Sequence, residues 1–422
     1  MRDSGIDWVG KIPEEWKVYK IAQLFKQHKL KNEGLVEQNL LSLSYGKVIR
    51  RDFNSTEGLL PESFEGYNII EEEDIVLRMT DLQNDQKSLR VGFNKERGII
   101  TSAYITLRSS SSVNSRYGYY YLHAFDLCKG FYGMGAGVRQ GVNFNELKKL
   151  DFIHPSLEEQ QKIAAFLDEK VAHIDNIIED TKKSIENLKA YKQSLITETV
   201  TKGLNPNVEM KDSGIEWIGK IPSHWDTVKM KRLGNIRNGL TYKPIDIVDS
   251  EEGILVLRSG NIQNSQLSFQ DNVHVKKEIN PDLIVSKGDI LICSRNGSRK
   301  LIGKNAIIED DLKATFGAFM MLFRPNELPK YIYYILNSEV FNFYLGTFLT
   351  STINQLTKGN FENMKIVFCP DTDEQGKIVA FLNDKVDKLN SMIQDKEKLL
   401  NEFESYKKSL IYECVTGKKE VE

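Results

Sequence analysis

The sequence contains no long apolar run. Among its 422 residues, no stretch of roughly 18 or more consecutive apolar residues occurs, and residues 1–5 lack the charged and then apolar order of a signal peptide. These absences argue against a membrane protein and predict a cytoplasmic location. A composition of 40% hydrophobic and 27% charged residues is typical of a globular chain with room for two or three domains.

Cysteine and histidine are scarce and scattered. The four cysteines form no Cys-x-x-Cys pair and have no histidine at metal-ligand spacing; they are Cys128, Cys293, Cys369 and Cys414. We therefore expect free thiols and no metal site. The six histidines are isolated, and no Ser/His/Asp or Cys/His arrangement has supporting context. Residues 205–207 (Asn-Pro-Asn) depart from the Asn-Pro-Pro-aromatic motif of methyltransferases, so the sequence predicts no catalytic site of its own.

A surplus of positive charge is also absent. The chain has 57 basic and 59 acidic residues, so any DNA-binding face must be local rather than spread over the whole surface. Residues 297–305 resemble a phosphate-binding loop but have five residues between the glycines and Asn305 in place of Ser or Thr. Gly133-x-Gly135-x-Gly137 lacks the dinucleotide-binding spacing. We expect no cofactor to be bound by this chain.

What the sequence does contain is an internal duplication. Residues 3–13 read DSGIDWVGKIP and residues 212–222 read DSGIEWIGKIP, and a tryptophan follows each at the same spacing, at Trp16 and Trp225. A second pair of matching segments is EQQKIAAFLDEKV at residues 159–171 and EQGKIVAFLNDKV at residues 374–386. The segments between them differ in length and sequence. The chain is therefore a constant frame, repeated once, that holds two divergent inserts.

Each copy of the frame includes a long predicted helix. The helices begin at capping-box patterns, Ser156-x-x-Glu159 and Asp371-x-x-Glu374, and end at Gly203 and Gly417. A length of about 45 residues corresponds to roughly 65 Å. Both helices carry a heptad seam that requires a partner, and the alternative is that each packs on its own globular half. The apolar seam residues are Leu167, Val171, Ile174, Ile178, Ile185, Leu188, Leu195, Leu382, Val386, Leu389, Ile393, Leu400, Phe403 and Leu410.

Two further features of the frame concern its register and its closure. Lys192 and Lys407 occupy equivalent seam positions, where a lone polar residue can fix register and orientation. Residues 212–225 follow the first helix directly. If they pack at its end, symmetry predicts that residues 3–16 pack at the end of the second helix, which would close the chain in a circle and relate the inserts by a pseudo-twofold axis.

The inserts are predicted to be α+β. Short apolar runs bounded by turn residues indicate strands at residues 40–43, 69–70, 74–77 and 103–107 of the first insert, and at 253–257, 288–292 and 319–323 of the second. Near its end each insert has an aromatic amphipathic stretch, residues 117–125 and 331–344, which indicates a helix. The predicted domains are residues 1–155, helix 156–203, residues 204–370, helix 371–417 and a tail at 418–422.

This combination resembles a known family, the specificity subunits of type I restriction-modification systems. The resemblance covers nearly the whole chain. It rests on the DSGI-x-W-x-GKIP-x-x-W frame, the Pro-x-x-x-Glu-Gln helix starts at Pro155 and Pro370, and the YK-x-SLI ends at residues 191–196 and 406–411. Residues 257–262 (LRSGNI), 294–297 (SRNG) and 135–140 (GAGVRQ) also look like recognition-domain sequences of that family.

The resemblance implies a subunit that performs no chemistry. Two target-recognition domains would each read one half of a bipartite double-stranded DNA site, and two conserved helices, forming an antiparallel coiled coil, would separate them and dock two methyltransferase subunits. A translocase-nuclease subunit would join for cleavage. S-adenosylmethionine would then belong to the methyltransferase subunits, and ATP with Mg²⁺ to the nuclease subunit. In this interpretation the helices set the distance between the half-sites.

Candidate DNA-binding residues are polar and basic side chains beside predicted strand ends and turns, where arginine and lysine can contact guanine or phosphate and asparagine and glutamine can contact adenine. Gly133, Gly135 and Gly137 would allow close backbone approach to the DNA. In the first insert the candidates are Tyr45, Lys47, Arg50, Arg51, Arg78, Arg139, Gln140 and Asn143. In the second they are Arg258, Asn261, Arg295, Asn296, Arg299 and Lys300. The main rival function is a coiled-coil scaffold with two protein-binding inserts.

Overall fold

Two long helices lie close to the bounds that the capping patterns predict. The first spans Leu157–Lys202 and the second Thr372–Val415. At their starts, Ser156 Oγ accepts from Glu159 N (3.2 Å) and Asp371 Oδ1 accepts from Glu374 N (3.4 Å), which satisfies backbone donors that the first turn leaves free. Gly203 and Gly417 follow the helices with φ of +74° and +69°, a left-handed conformation that favours glycine.

The computed structural model describes residues 1–52, 63–82, 88–134, 141–349 and 354–421. The chain forms two units, one of residues 1–182 and 398–422 and one of residues 183–397. Each long helix therefore contributes residues to both units. All four cysteines are free. Within the described part of the chain, no helix combines the length and the apolar character that crossing a membrane requires.

The first unit is built around an antiparallel four-stranded sheet, in the order Val91–Phe93, Ile75–Leu77, Ile105–Ser109, Phe25–Gln27. A three-stranded sheet is formed by Gly98–Ile100, Asn68–Ile70 and Leu30–Lys31. The remaining strands pair Leu41–Ser44 with Lys47–Arg50, Lys17–Lys20 with Asp151–His154, and Arg2–Asp3 with Lys11–Ile12. The central strand Ile75–Leu77 is buried throughout because the helix Ser115–Leu127 packs against this sheet.

The second unit repeats the order of the first four-stranded sheet, as Asn305–Ile307, Ile290–Cys293, Met320–Pro325, Gly234–Asn238. A further sheet has the order Ile247–Val248, His274–Val275, Ile254–Leu257, Ala314–Phe316, and its last two strands are parallel. The two-stranded pairs are Asp226–Lys229 with Lys365–Phe368, Met210–Asp212 with Lys220–Pro222, and Ile262–Gln263 with Gln266–Leu267. The predicted strands of both inserts thus correspond to observed strands, displaced by a residue or two.

Shorter helices connect the strands. They are Ile21–Leu24, Ser115–Leu127, Phe144–Leu147, Pro329–Leu336, Glu339–Phe348 and Lys358–Asn363. The helix predicted at residues 117–125 is confirmed. The stretch at residues 331–344 is not one helix, because Ser338 begins a new one by accepting a hydrogen bond from Val340 N (3.2 Å) through its Oγ. The apolar periodicity of this stretch predicted one helix, but the capping serine within it starts a second helix.

The two sheets that share a strand order also share an ion pair between an arginine and a buried aspartate. In the first unit Arg108 donates from Nε and Nη2 to the two carboxylate oxygens of Asp74, at 2.9 Å each. In the second, Arg324 donates to Asp289 at 2.8 and 2.7 Å. Asp74 and Asp289 are 1% and 2% exposed, so each carboxylate depends on its bidentate arginine for charge compensation. Inserts of different sequence share a strand order and an internal ion pair.

Within each unit the two long helices run antiparallel. In the first unit Lys407 Nζ donates to Asp175 Oδ1 (2.6 Å), and Lys182 Nζ lies 3.7 Å from Glu404 Oε1. Residue numbers therefore fall along one helix as they rise along the other. The second unit shows the same direction, because Lys189 Nζ lies 2.9 Å from Glu397 Oε1 and Lys192 Nζ donates to Asn390 Oδ1 (2.9 Å).

The apolar seam residues are all buried or half-buried. Leu167, Ile174, Ile178, Ile185, Leu382, Leu389, Ile393 and Leu410 are buried. Val171, Leu188, Leu195, Val386, Leu400 and Phe403 are half-buried. Lys407 and Lys192 each make a cross-helix hydrogen bond at equivalent places. One partner is a carboxylate and the other an amide, so the two halves of the helix pair differ in charge at this point.

The amino-terminal segment packs against the end of the second helix, as the duplication predicts. Tyr412 donates its hydroxyl to Trp8 O (3.1 Å), and the Lys418 ammonium donates to Val9 O. Trp16 donates from Nε1 to Glu159 Oε2 (2.9 Å), and a Cβ on Gly417 would lie 2.4 Å from Pro13 Cδ. In the first unit, residues 8–16 therefore contact residues 412–418.

The second unit has the same joint. Trp225 donates from Nε1 to Glu374 Oε2 (3.2 Å), and a Cβ on Gly203 would lie 3.3 Å from Trp225 Cζ2. Both helix ends favour glycine because the residue there has a left-handed φ, and at Gly417 a side chain would also clash with Pro13. The prediction that residues 3–16 and 212–225 occupy equivalent helix ends is confirmed.

Candidate nucleic-acid interface

Three loops of the second unit meet at neighbouring strand ends. They are residues 258–261 after Ile254–Leu257, residues 294–300 after Ile290–Cys293, and residues 317–319 before Met320–Pro325. Asn296 Nδ2 donates to Ser259 Oγ (3.1 Å), which joins the first loop to the second. The backbone N–H of Arg295 donates to Phe319 O (3.1 Å), which joins the second to the third. Side chains distant in sequence are thus assembled into one surface, which we call the second-unit loop surface.

An arginine and an exposed aromatic ring form the centre of this surface. The Arg295 guanidinium carbon lies 5.5 Å from the centroid of the Phe319 ring, and Phe319 is 60% exposed. A cation over a solvent-facing ring is an arrangement on which nucleic acid bases stack. Phe319 was not a candidate from the sequence, because the apolar run at 319–323 indicated a strand. Gly317 is the residue in the sequence that could have indicated this loop. A turn follows it, and the strand begins only at Met320, after Phe319.

A buried thiol contacts the backbone of the loop at residues 294–300. Cys293 is fully buried at the end of its strand, and burial raises the pKa of its thiol above the ordinary value. The sulfur donates to Arg295 O (3.6 Å). The thiol therefore stays neutral and helps to hold the backbone from which the Arg295 side chain projects.

The other candidates of the second unit have different environments. Arg258 donates from Nη2 to Asp271 Oδ2 (2.9 Å) and is half-buried, so part of its hydrogen-bonding capacity is already used. The candidate Asn261 is fully buried, and its amide accepts from Arg258 N (2.8 Å) and donates to Ser268 O (3.0 Å), so it shapes the loop from within. Arg299 and Lys300 are exposed on the short helix Arg299–Leu301.

In the first unit the structure groups four candidates on one hairpin. Tyr45 lies at the tip between Leu41–Ser44 and Lys47–Arg50, is 75% exposed, and has a φ of +46°. Lys47 and Arg51 are exposed. Arg50 donates from Nε to Glu96 Oε1 (2.8 Å), and this hydrogen bond holds the pKa of the Glu96 carboxyl below its ordinary value. Arg50 would have to leave this partner, or share it, to contact DNA.

The remaining candidates of the first unit are dispersed. Arg78 is half-buried beyond the end of strand Ile75–Leu77. Asn143 caps the helix Phe144–Leu147 by accepting from Asn145 N (2.8 Å) and Glu146 N (3.2 Å), so its carbonyl oxygen has a structural role. Arg139 and Gln140, together with Gly135 and Gly137, lie outside the described residues. Gly133 ends the short helix Gly130–Gly133.

Comparison with known proteins gives a consistent result. The sequence profile of the type I restriction modification DNA specificity domain matches twice, at residues 13–187 and 222–402. The type I restriction enzyme MjaVIII specificity subunit of Methanocaldococcus jannaschii is 26% identical over 359 residues, which are 81% of this chain and 79% of that protein. The StySPI specificity subunit of Salmonella potsdam is 28% identical over 177 residues, which are 40% of this chain and 37% of that protein.

One solved structure shares the fold over nearly the full length. It is a chain from a structural study of complex assembly and conformational transition of the type I R-M system. The TM-score is 0.70 at 14% sequence identity, and the alignment covers 96% of this chain and 98% of that one. At this identity the similarity shows the fold alone. The two profile matches correspond to the two copies of the frame, each with its insert.

Proposed function

Because the chain belongs to the family of type I restriction-modification specificity subunits, we propose that its two inserts read the two halves of a bipartite DNA site. The observation that carries this proposal is the second-unit loop surface, where Arg295, Phe319 and Arg258 converge from three separate loops. Local concentration of cationic and aromatic side chains at strand ends suits DNA contact in a chain whose net charge is only −2.

The two long helices are proposed to form an antiparallel coiled coil that spaces the inserts, within a pseudo-twofold repeat. The buried seam, the cross-helix pairs of Lys407 with Asp175 and Lys192 with Asn390, and the equivalent tryptophan joints support this arrangement. The coiled-coil scaffold with protein-binding inserts is the disfavoured alternative, because it does not explain the two matches to a DNA specificity domain.

The chain is proposed to be a non-catalytic, cytoplasmic partner of two methyltransferase subunits and of a translocase-nuclease subunit. In that complex S-adenosylmethionine would be bound by the methyltransferase subunits, and ATP with Mg²⁺ by the nuclease subunit. The division of labour rests on family membership and on the absence of a catalytic motif from the sequence.

Mapping methylated adenines tests the proposal directly. The full chain is expressed with its methyltransferase subunit in cells that lack other adenine methyltransferases, and genomic DNA is sequenced with a method that reports methylation. The expected result is one motif with two defined halves and an undefined spacer. Methylation without a split motif, or purified complex that binds a scrambled site equally well at the same salt concentration, would contradict it.

Arg295 is expected to contact one half of the site. Replacement by Ala should weaken binding by about 1–3 kcal/mol and relax specificity at one position if the guanidinium reads a guanine. Competition binding against sites with single base changes measures this. Arg232→Ala is the matched control, because Arg232 is exposed on the short helix Met230–Arg232, apart from the three loops. Equal weakening for all sequences would show a phosphate contact instead.

Phe319 is expected to stack on a base. Phe319→Ala should reduce affinity by about 1–3 kcal/mol, whereas Phe319→Tyr should retain most of it because the ring is kept. Unfolding curves check that both variants are folded, as expected for a residue that is 60% exposed. Unchanged affinity of Phe319→Ala would show that the ring does not contact DNA. The Arg295 variant would then decide whether the second-unit loop surface binds DNA.

A further inference from the structure

The second unit contains a polar cavity of about 800 Å³ beside the two long helices. Lys192 of the first helix and Asp387 and Asn390 of the second form one wall. Tyr333 and Tyr334, from the helix Pro329–Leu336, form another. Residues 264–267, Phe269 and residues 307–312 complete the lining, and Phe269 is 48% exposed. The second-unit loop surface contributes none of these lining residues.

Negative charge predominates around this cavity. Glu309 is paired with the Lys330 ammonium. Asp310, Asp311 and Asp387 are exposed and line the cavity. Among the described residues of this unit, none forms an ion pair with these three carboxylates. Lys192 is the remaining cation of the lining. It donates to the Asn390 amide, and burial lowers the pKa of its ammonium. The lining therefore has three carboxylates without an ion-pair partner and one ammonium whose pKa is lowered. This excess of negative charge favours a cationic occupant and disfavours a phosphate backbone.

The first unit shows which cation this architecture accommodates. Arg116 is the second residue of the helix Ser115–Leu127, and Lys330 is the second residue of the helix Pro329–Leu336. The Arg116 guanidinium lies 4.6 Å from the Phe93 ring and 5.0 Å from the Tyr119 ring, and its Nε donates to Asp168 Oδ1 on the first long helix (2.6 Å). An arginine of the chain itself thus fills the space between recognition domain and helix.

In the second unit two residues differ at this place, and a third adds a negative charge. Lys330 lies 5.1 Å from the Tyr333 ring but pairs with Glu309 and not with the long helix. Asn383 stands where the duplication places Asp168, and its Oδ1 accepts from the Tyr334 hydroxyl (2.7 Å), as Asp168 Oδ1 does from Tyr120 (2.7 Å). Asp387, one helical turn later, supplies a carboxylate at the cavity.

We infer that the cavity of the second unit binds an arginine side chain presented by a partner protein. The planar guanidinium would donate to Asp387 and to the Asp310–Asp311 carboxylates, and its aliphatic part would lie against the exposed Phe269 ring. The inference rests on the proposed function in one respect, since a specificity subunit requires protein partners. The carboxylates and rings themselves define the chemistry of the ligand.

Carboxylate footprinting of the full chain tests this site without any assumption about DNA. Carbodiimide-activated labelling with glycinamide is read out by mass spectrometry, with the blocked tripeptide Ac-Gly-Arg-Gly-NH₂ as the probe. We expect the probe to slow labelling of Asp310, Asp311 and Asp387 by about threefold or more. Asp384, on the same helix but outside the cavity lining, should label at an unchanged rate. The citrulline peptide, which has the same shape without the charge, should protect none of them.

Variants and a competing cation complete the test. Asp387→Asn should abolish the protection of Asp310 and Asp311, whereas Asp384→Asn should leave it intact, and melting curves check that both are folded. Absence of protection in the wild-type chain, or equal protection by spermidine and by the arginine peptide, would overturn the inference. Binding to the bipartite DNA site, measured on the same preparation, shows whether the proposed function holds when the cavity inference does not.

Discussion

A chain that lacks residues 1–16 is expected to lose at least about 3–5 kcal/mol of unfolding free energy, the amount associated with removing one buried tryptophan from a core. Val9, Ile12 and Trp16 are 2%, 0% and 3% exposed and belong to the core of the first unit. Deletion also leaves the Tyr412 hydroxyl and the Lys418 ammonium without the carbonyl groups that they contact.

The loss should begin at the end of the second helix. Hydrogen exchange at residues 408–417 should accelerate more than exchange in the second unit, because the removed residues pack against that end. Denaturant unfolding and thermal melting give the global effect. Glu15→Ala, which changes an exposed residue of the same segment, is the control and should have little effect. A melting curve that does not change after the deletion would refute the joint.

Adding one heptad to both long helices is expected to lengthen the spacer of the DNA site by about three base pairs. Seven residues add about 10.5 Å of helix, and B-DNA rises about 34 Å per 10 base pairs. The insertion points are Lys182–Lys183 in the first helix and Glu397–Lys398 in the second, where the chain passes from one unit to the other. The bases read in each half should stay the same, because the loops are untouched.

Methylation mapping, or binding to a series of sites with different spacers, measures the shift. Adding the heptad to one helix alone is the control, and it should damage the complex because the pairs Lys407–Asp175 and Lys192–Asn390 can no longer form in one register. If the doubly extended chain still prefers the original spacer, the helices do not set the distance between the half-sites.

The elements with local signals could be predicted from the sequence. The long helices have caps, terminal glycines and a heptad seam, and they lie close to their predicted bounds. The apolar seam residues do not distinguish parallel from antiparallel pairing. The direction is seen in cross-helix contacts such as Lys407 with Asp175, and the sequence does not identify the partner of either seam lysine. The helix predicted at residues 331–344 is in fact two helices, because the hydroxyl of Ser338 caps the second one. The apolar periodicity of the stretch gave no indication of this cap.

The candidate interface was less predictable, because turn residues have two common uses. Asn261 and Asn143 sit in turns, where an amide can either face a ligand or satisfy backbone donors, and the structure shows the second use for both. Phe319 was missed for the opposite reason, since an apolar residue beside a strand is usually in the core. Only the meeting of three loops, which no single segment encodes, places its ring beside Arg295.

The two glycine–tryptophan joints also bear on the order of the chain. At the second joint, residues 203–212 carry the peptide backbone from the helix into the frame segment, whereas at the first joint Gly417 meets Pro13 and Trp16 only by contact. The joints are otherwise built from the same residue types. We therefore expect the fold to tolerate an exchange of the covalent joint for the non-covalent one. A rearranged gene that starts at Asn207 and joins Lys418 to Met1 through a short linker should yield a folded protein, with a melting transition close to that of the original order.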